Sequence, residues 1–499
     1  MTNCCHADKG GILRFLVPPN DKLKHKFKEN YEFGRKQGEI MEYKFPEGFW
    51  WGAAASGPQT EGIENKVNKS IWDTWFEKEP HRFFKEISSE KVCDTYNRYK
   101  EDVKLMKDIG LNSFRTSIQW TRLIKNFETG EVCEDAVRFY NSYIDEMIKN
   151  GIEPVMNLYH FDMPTELQEK YGGWESKKTS ELFGLFAKRC FELFGDRIKY
   201  WTTFNEPIVP VEGGYLYDFH YPNKKDMKLA VQVAFNIMLA HAFAVKEYRK
   251  LDLNGEIGVV LNITPSYTRD DREEDKVAAK YADLFFNKSF MDPLVNGYFT
   301  KELVEILREY NLIPIYEEED KELILSQKID FLGLNYYVPR RVKAKEVRDE
   351  KLNNPEYFFD YHVNESGRFN PYRDKNEIYP KAVYDIAMDV KNNYGNIKWY
   401  LAEIGIAMDL NSEGEPIDGL IDDSFRTDLF KEHMVELHKA IDDDSNCFGV
   451  HQWTFIDNWS WCNSFNRRYG FYRLDLETGD RILKKHALIF KDIVENNGF

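Results

Sequence analysis

The stretch Ile198-Lys199-Tyr200-Trp201-Thr202-Thr203-Phe204-Asn205-Glu206-Pro207 is apolar for most of its length and turns polar at its end. Lys398-Trp399-Tyr400-Leu401-Ala402-Glu403-Ile404-Gly405-Ile406-Ala407 has the same texture. Six more runs share it: Phe49–Gly57, Ser113–Trp120, Glu153–Asp162, Glu256–Pro265, Ile329–Tyr337 and Cys447–Asn458. Nearly continuous apolar character fits strands buried on both faces. Segments of helical period lie between them: Asp94–Ile109, stopped by Gly110, then Glu181–Phe194, Met227–Lys250 and Phe425–Ile441. Strand followed by helix, eight times over, predicts one α/β domain, a (β/α)8 TIM barrel. Spacings of roughly 40–75 residues between strands require long loops on that barrel. The longest interval, 338–397, is rich in Tyr, Phe, Asn and Pro. A doubly wound sheet would want a Gly-rich phosphate turn after its first strand, and the sequence has no such turn.

Composition bounds the class. The chain has 499 residues, 42% of them hydrophobic, enough for a large core. Lys plus Arg number 68 and Asp plus Glu 84, a net charge of −16. A net anion is a poor partner for nucleic acid or an acidic membrane. The seven cysteines are scattered without C-x-x-C spacing, the pattern of reduced thiols in a cytoplasmic protein. The apolar stretch Ile12–Val17 is broken by Arg14 and too short for a signal peptide. No uninterrupted apolar run is long enough to span a membrane. Cys4 and Cys5 read as two surface thiols rather than lipid anchors. Residues 1–44, with Lys22, Lys24, Lys26 and Lys28, read as a solvated N-terminal extension, leaving 45–499 as the barrel.

Function in a barrel sits at the C-terminal ends of the strands, so polar residues there are the candidates. Glu206 and Glu403 each end a strand otherwise built for burial. A pair of carboxylates flanking a scissile bond is what glycoside hydrolysis needs. The other strand ends supply Gln59, Arg115, His160, Asn335, Tyr337 and Trp453, followed by Asp457-Asn458-Trp459-Ser460-Trp461. Amides, imidazole and hydroxyls pair with sugar hydroxyls, and an indole face packs on a pyranose ring. A metal site is not expected: His433 and His438 stand five apart, not four, and no H-E-x-x-H occurs. A serine hydrolase is disfavoured for want of G-x-S-x-G.

Several stretches resemble glycoside hydrolase family 1: Phe45-Pro46-Glu47-Gly48-Phe49-Trp50-Trp51-Gly52, Gln59-Thr60-Glu61-Gly62, Tyr159-His160-Phe161-Asp162-Met163-Pro164, Thr203-Phe204-Asn205-Glu206-Pro207, Asn335-Tyr336-Tyr337 and Trp453 to Phe471. The resemblance covers about residues 45–499. It implies a (β/α)8 barrel and a retaining mechanism with no metal or cofactor. Carried over, Glu206 is the acid/base and Glu403 the nucleophile. Asn205 binds the sugar 2-hydroxyl, Gln59, His160 and Trp453 hold the glycone, and Arg115 and Tyr337 flank the nucleophile.

Two departures from the family pattern matter. Where the family usually has Thr-Glu-Asn-Gly, this chain has Ala402-Glu403-Ile404-Gly405. Hydrogen bonds lost with both polar neighbours are expected to alter the orientation of Glu403. Ordinary β-glucosidases of the family place Glu where Ser460 stands. A Glu there would repel a 6-phosphate by roughly 4 kcal/mol at 4 Å and an effective dielectric near 20. Arg467 follows Ser460 by seven residues and Tyr469 by nine. That spacing resembles the 6-phospho-β-glycosidase branch, where the cation is usually Lys, and Arg467 offers forked bonds to phosphate. The expected substrate is a 6-phospho-β-glycoside. The alternatives are a β-glucosidase acting on unphosphorylated sugars and a catalytically impaired carbohydrate-binding barrel. Trp461 follows Ser460 as in 6-phospho-β-galactosidases, but a single Trp does not choose between gluco and galacto sugars. The aglycone is expected to meet the aromatic interval 338–397.

Overall fold

The eight apolar runs become the eight parallel strands of one closed barrel. We label them β1 (Trp50–Ala54), β2 (Ser113–Ser117), β3 (Glu153–Tyr159), β4 (Tyr200–Asn205), β5 (Glu256–Asn262), β6 (Phe331–Asn335), β7 (Trp399–Ile404) and β8 (Cys447–Trp453). The computed structural model describes residues 42–90, 92–347, 349–372 and 376–499. Each strand is shorter than its sequence run, and most of the loss is at the C-terminal end. The residues trimmed there, such as His160, Glu206 and Tyr337, are polar groups that leave the ladder for the barrel mouth.

Side chains alternate across each strand, so each splits its apolar residues between two cores. Trp399 and Leu401 join the main cluster between strands and helices. Tyr400 and Ala402 join Trp50, Val155, Val260 and Phe331 in a separate cluster drawn from five of the strands. That second cluster fills the barrel, and it forms the floor on which the mouth is built.

The expected helices are present as Thr95–Asp108, Lys177–Phe194, Met227–Arg249 and Ser424–Asp442. The second begins earlier than its apolar period suggested, because Lys177 and Lys178 open it polar and Ser176 caps it, accepting from the Lys178 N–H at 3.2 Å. Met227–Arg249 has a mean hydropathy of 1.5 over its most apolar stretch, of which 67% is buried. It is a core helix packed on Lys177–Phe194. The interval 338–397 is not one loop. Arg340–Ala344 is the middle strand of a small sheet, paired with Phe359–Tyr361 on one side and Ser266–Thr268 on the other, and Lys381–Asn393 is a helix. Short strands with few alternating positions carry too little pattern to be read in advance.

Most of the N-terminal extension, including Cys4, Cys5 and its four lysines, lies outside the described residues. Tyr43 already pairs with Phe499, donating at 2.8 Å and accepting at 3.2 Å. Packing therefore starts just ahead of Phe45. Cys93, Cys133, Cys190, Cys447 and Cys462 are buried free thiols.

The chain leaving β8 is anchored by a buried ion network. Lys484 Nζ lies 2.8 Å from Asp457 Oδ2 and 2.5 Å from Glu413 Oε1, and Arg468 Nη1 lies 2.9 Å from Glu413 Oε2. Asp457 Oδ1 accepts from the Gly470 N–H at 2.7 Å, closing the loop 457–470 at its base. Removing one partner of such a set strands the others. Lys484→Met should lower unfolding stability by about 3–5 kcal/mol. Urea denaturation checks this, and a loss below about 1 kcal/mol would refute the clamp.

Candidate active site

Both carboxylates sit where a strand loses its regular pairing. On β7 the register shifts between Leu401 and Glu403 against β6. Strict alternation after Ala402 would turn Glu403 away from the axis, and the irregularity lets it face inward. On β4 the register shifts between Thr202 and Asn205, and the Glu206 N–H then bonds Val260 O at 2.8 Å. Glu206 has φ of 47°, the left-handed region that a residue with a Cβ enters at a cost.

Glu403 is held at both oxygens. Oε1 accepts from Arg115 Nη2, and Oε2 accepts from Tyr337 Oη at 2.5 Å. Neither donor is a chain neighbour, so Ala402 and Ile404 do not leave the carboxylate without bonds. The expected effect of those two apolar residues is corrected: Ala402 belongs to the floor, and the bonds arrive from β2 and the end of β6. Arg115 is fully buried, and its Nη1 donates to Asn205 Oδ1 at 2.8 Å. Asn335 Nδ2 donates to the same oxygen at 3.2 Å and to Glu206 Oε1 at 2.9 Å. One chain of bonds thus runs from Glu403 through Arg115, Asn205 and Asn335 to Glu206. The Asn205 carbonyl is taken twice, and its Nδ2 lies 3.4 Å from His160 Nε2.

Burial pushes the Glu206 carboxyl up to about 8, with the Glu403 charge as the second cause. Asn335 and Arg115 pull the other way but do not cancel the rise. Burial also holds the His160 imidazole well below its usual range, with Arg115 adding to it, so it is neutral at pH 7. Its ring stacks on Trp453 at 5.7 Å and on Trp461 at 6.1 Å. Gln59 is fixed at both ends of its amide. Nε2 donates to Trp459 O at 2.8 Å, and Oε1 accepts from Ser56 Oγ at 2.8 Å.

One cavity gathers Gln59, His160, Asn205, Glu206, Asn335, Tyr337, Glu403, Trp453, Ser460, Trp461 and Tyr469. A profile of glycosyl hydrolase family 1 matches residues 41–499. The chain belongs to glycosyl hydrolase family 1. It is 50% identical to the 6-phospho-beta-glucosidase GmuD of Bacillus subtilis over 92% of this chain and 99% of that protein. It is 35% identical to a 6-phospho-beta-galactosidase of Clostridium acetobutylicum, over 90% and 96%. The family 1 beta-glucosidase structure from Thermotoga maritima superposes with a TM-score of 0.84 at 33% identity, covering 92% of this chain and all of that one.

The wall of this glycosidase also uses residues that the strand-end reading missed. Asn262, the last residue of β5, and Thr264 just after it line the cavity, and the same rule applied to that strand would have found them. Trp72 and Phe219 lie on a helix and a loop far from any strand end and carry no such signal. Trp72 packs against Trp461 at 4.5 Å. Gly405 has a reason to be glycine: a Cβ there would stand 2.4 Å from Trp453 O and 3.2 Å from Tyr469 Cδ1.

Two of the expected site residues do not line the cavity. Arg115 is enclosed behind Glu403 and Asn205, while Arg467 has its Nη1 2.8 Å from Asp409 Oδ1. The pair Arg467–Arg468 bridges Met408–Asp409 antiparallel. Alternation then turns Arg468 inward onto Glu413 while Arg467 stays on the other face. The adjacent arginine is therefore structural.

A Glu206 that serves as the acid would set the alkaline limb of the pH profile. It is protonated below about pH 8 and loses its proton above that. For a substrate with a poor leaving group, kcat/KM should fall as pH rises through that value. Carbon-13 NMR of labelled Glu206 should show its pKa dropping in Glu403→Gln yet staying above the ordinary 4.5, since burial is the larger cause. A return to the ordinary value would make Glu403 the main cause.

Proposed function

We propose that this family 1 glycosidase hydrolyses 6-phospho-β-glycosides in the cytoplasm, with net retention, using Glu403 as nucleophile and Glu206 as acid/base. Glu403 attacks the anomeric carbon while Glu206 gives its proton to the departing glycosidic oxygen, releasing the aglycone as an alcohol. A covalent glycosyl ester remains on Glu403. Glu206, now ionised, takes a proton from water, whose oxygen attacks the same carbon and releases the sugar and the free carboxylate. Arg115 and Tyr337 orient the nucleophile. The free, buried state of the five described cysteines favours a reducing compartment.

One observation carries the phosphate reading. Glu206 and Glu403 are the only acids lining the cavity among the described residues, and Ser460 and Tyr469 offer hydroxyl donors on its wall. A dianion on the sugar meets no carboxylate at that position. The 50% identity to a 6-phospho-beta-glucosidase supports the same reading and favours the gluco sugar. The pairing of Arg467 with Asp409, and 35% identity to the beta-glucosidase A of Thermotoga maritima, favour a second reading, hydrolysis of unphosphorylated β-glucosides. The doubly bonded Glu403 speaks against an inactive barrel.

Comparing kcat/KM for an aryl β-glucoside and its 6-phosphate decides between the two. The phosphorylated substrate should be preferred more than tenfold, since each charge-assisted bond contributes about 1.5–3 kcal/mol. Ser460→Glu should erase that preference by direct repulsion. Equal rates on both substrates in the wild type would establish the second reading. For the chemistry, Glu403→Gln should abolish turnover, and a 2-fluoro glycoside should label Glu403. Glu206→Ala should slow poor leaving groups far more than activated ones, with azide restoring the rate. Inversion at the anomeric carbon, seen by proton NMR, would refute the double displacement.

A further inference from the structure

The residues just after Glu206 divide two cavities. The short helix Ile208–Val211 follows Glu206-Pro207 directly, and its Val209 N–H bonds the Glu206 carbonyl at 2.9 Å. Val209 lines the active-site cavity, while Ile208 and Val211 line a separate cleft of about 630 Å³. Phe235 and Met238 of the core helix Met227–Arg249 form one side of that cleft, and Leu303 and Leu307 of the helix Lys301–Glu309 form another. A volume between about 300 and 1,000 Å³ with mostly apolar walls is the usual form of a small-molecule site. Two of its aromatic side chains meet solvent: Tyr298 is 50% exposed and Tyr316 39%.

The charges around the cleft say what kind of molecule fits. Among the described residues they are Lys301, Glu305, Arg308 and Lys321. Lys301 lies 3.6 Å from Glu305, and Lys321 pairs with Glu318. Arg308 is exposed and has no ion pair or side-chain hydrogen bond among the described residues. A guanidinium with its donors free, beside an apolar cleft, matches a carboxylate carried on an apolar body.

We propose that this cleft binds an apolar carboxylate, with its head on Arg308 and its body against Ile208 and Val211, and that the bound molecule raises turnover. Glu206 holds a left-handed backbone, with φ of 47°, and its carbonyl is bonded to the turn that follows. An occupant adds contacts to Ile208 and Val211 that the open cleft withholds. The turn is then held more rigidly, and the carboxyl that it carries keeps its place for more of the time. Because the cleft lies behind the wall of the active site, its occupant does not compete with substrate.

Dodecanoate, kept below its micelle concentration, is the probe, and dodecanol is its uncharged control. Calorimetry on the full chain should find one dodecanoate bound per chain. Arg308→Ala should weaken dodecanoate about tenfold and leave dodecanol unchanged. Ala234→Phe, which fills the cleft, should abolish binding of both. Bound dodecanoate should raise the unfolding temperature. It should also raise kcat about twofold or more on a glycoside with a poor leaving group, phosphorylated or plain, whichever the wild type cleaves faster, with KM little changed. Thermal unfolding confirms the fold of each variant, and the surface change Arg308→Ala decides alone if Ala234→Phe does not fold. Absent binding overturns the proposal, and that is the outcome if a second copy of the chain or its residues 1–41 fill the cleft instead. Binding that Arg308→Ala leaves unweakened, competition with substrate, or an unchanged or lowered kcat overturns it as well.

Discussion

The site depends on one buried guanidinium. Arg115 sits fully enclosed between a carboxylate and an amide, and a cation in that position would be intolerable without the negative partner it finds. The pairing serves both residues. Glu403 is held in place because Arg115 is fixed under it, and Arg115 is held by β2 and therefore by the barrel itself. Asn205 transmits the arrangement to the other side of the mouth through its doubly used carbonyl. Loosening Arg115 would release Glu403 and Asn205 directly and, through Asn205, the Asn335 that bonds Glu206.

Two glutamates of the same chemistry are thereby given opposite surroundings. Glu403 is bonded by donors at both oxygens, while Glu206 accepts from the Asn335 amide and is strongly desolvated, so it keeps its proton to about pH 8. The difference comes from which strand ends face them, not from the residues. A barrel makes this inexpensive in design terms, because eight strand ends converge and each contributes a side chain or two.

Much of this was legible in the sequence for a physical reason. Strands buried on both faces must be apolar throughout, so Glu206, Glu403, His160 and Asn335 stand out against their own strands. Where that contrast is missing, reading stops. Trp72 and Phe219 are aromatics among many others, and nothing local marks which aromatics reach the cavity. The strands Arg340–Ala344 and Phe359–Tyr361 are too short to show a period. The effect of Ala402 and Ile404 was misjudged because hydrogen bonds to Glu403 come across the barrel, from residues distant in sequence. Arg467 was placed by its spacing, but spacing says nothing of Asp409, whose approach depends on how two loops cross.

The closure between β1 and β8 has a bearing on how the molecule comes into being. Gln59 is tied to Trp459 across 400 positions, and Trp50–Ala54 pairs with Gly449–Trp453. During synthesis β1 leaves the ribosome with one edge bare and stays so until the last barrel strand emerges. At ribosomal rates of about 5–20 residues per second that interval is tens of seconds. Throughout it, Trp50 and its neighbours have no permanent cover, and the glycone pocket does not yet exist. The nascent chain is therefore a natural client for whatever shields exposed strand edges in its host.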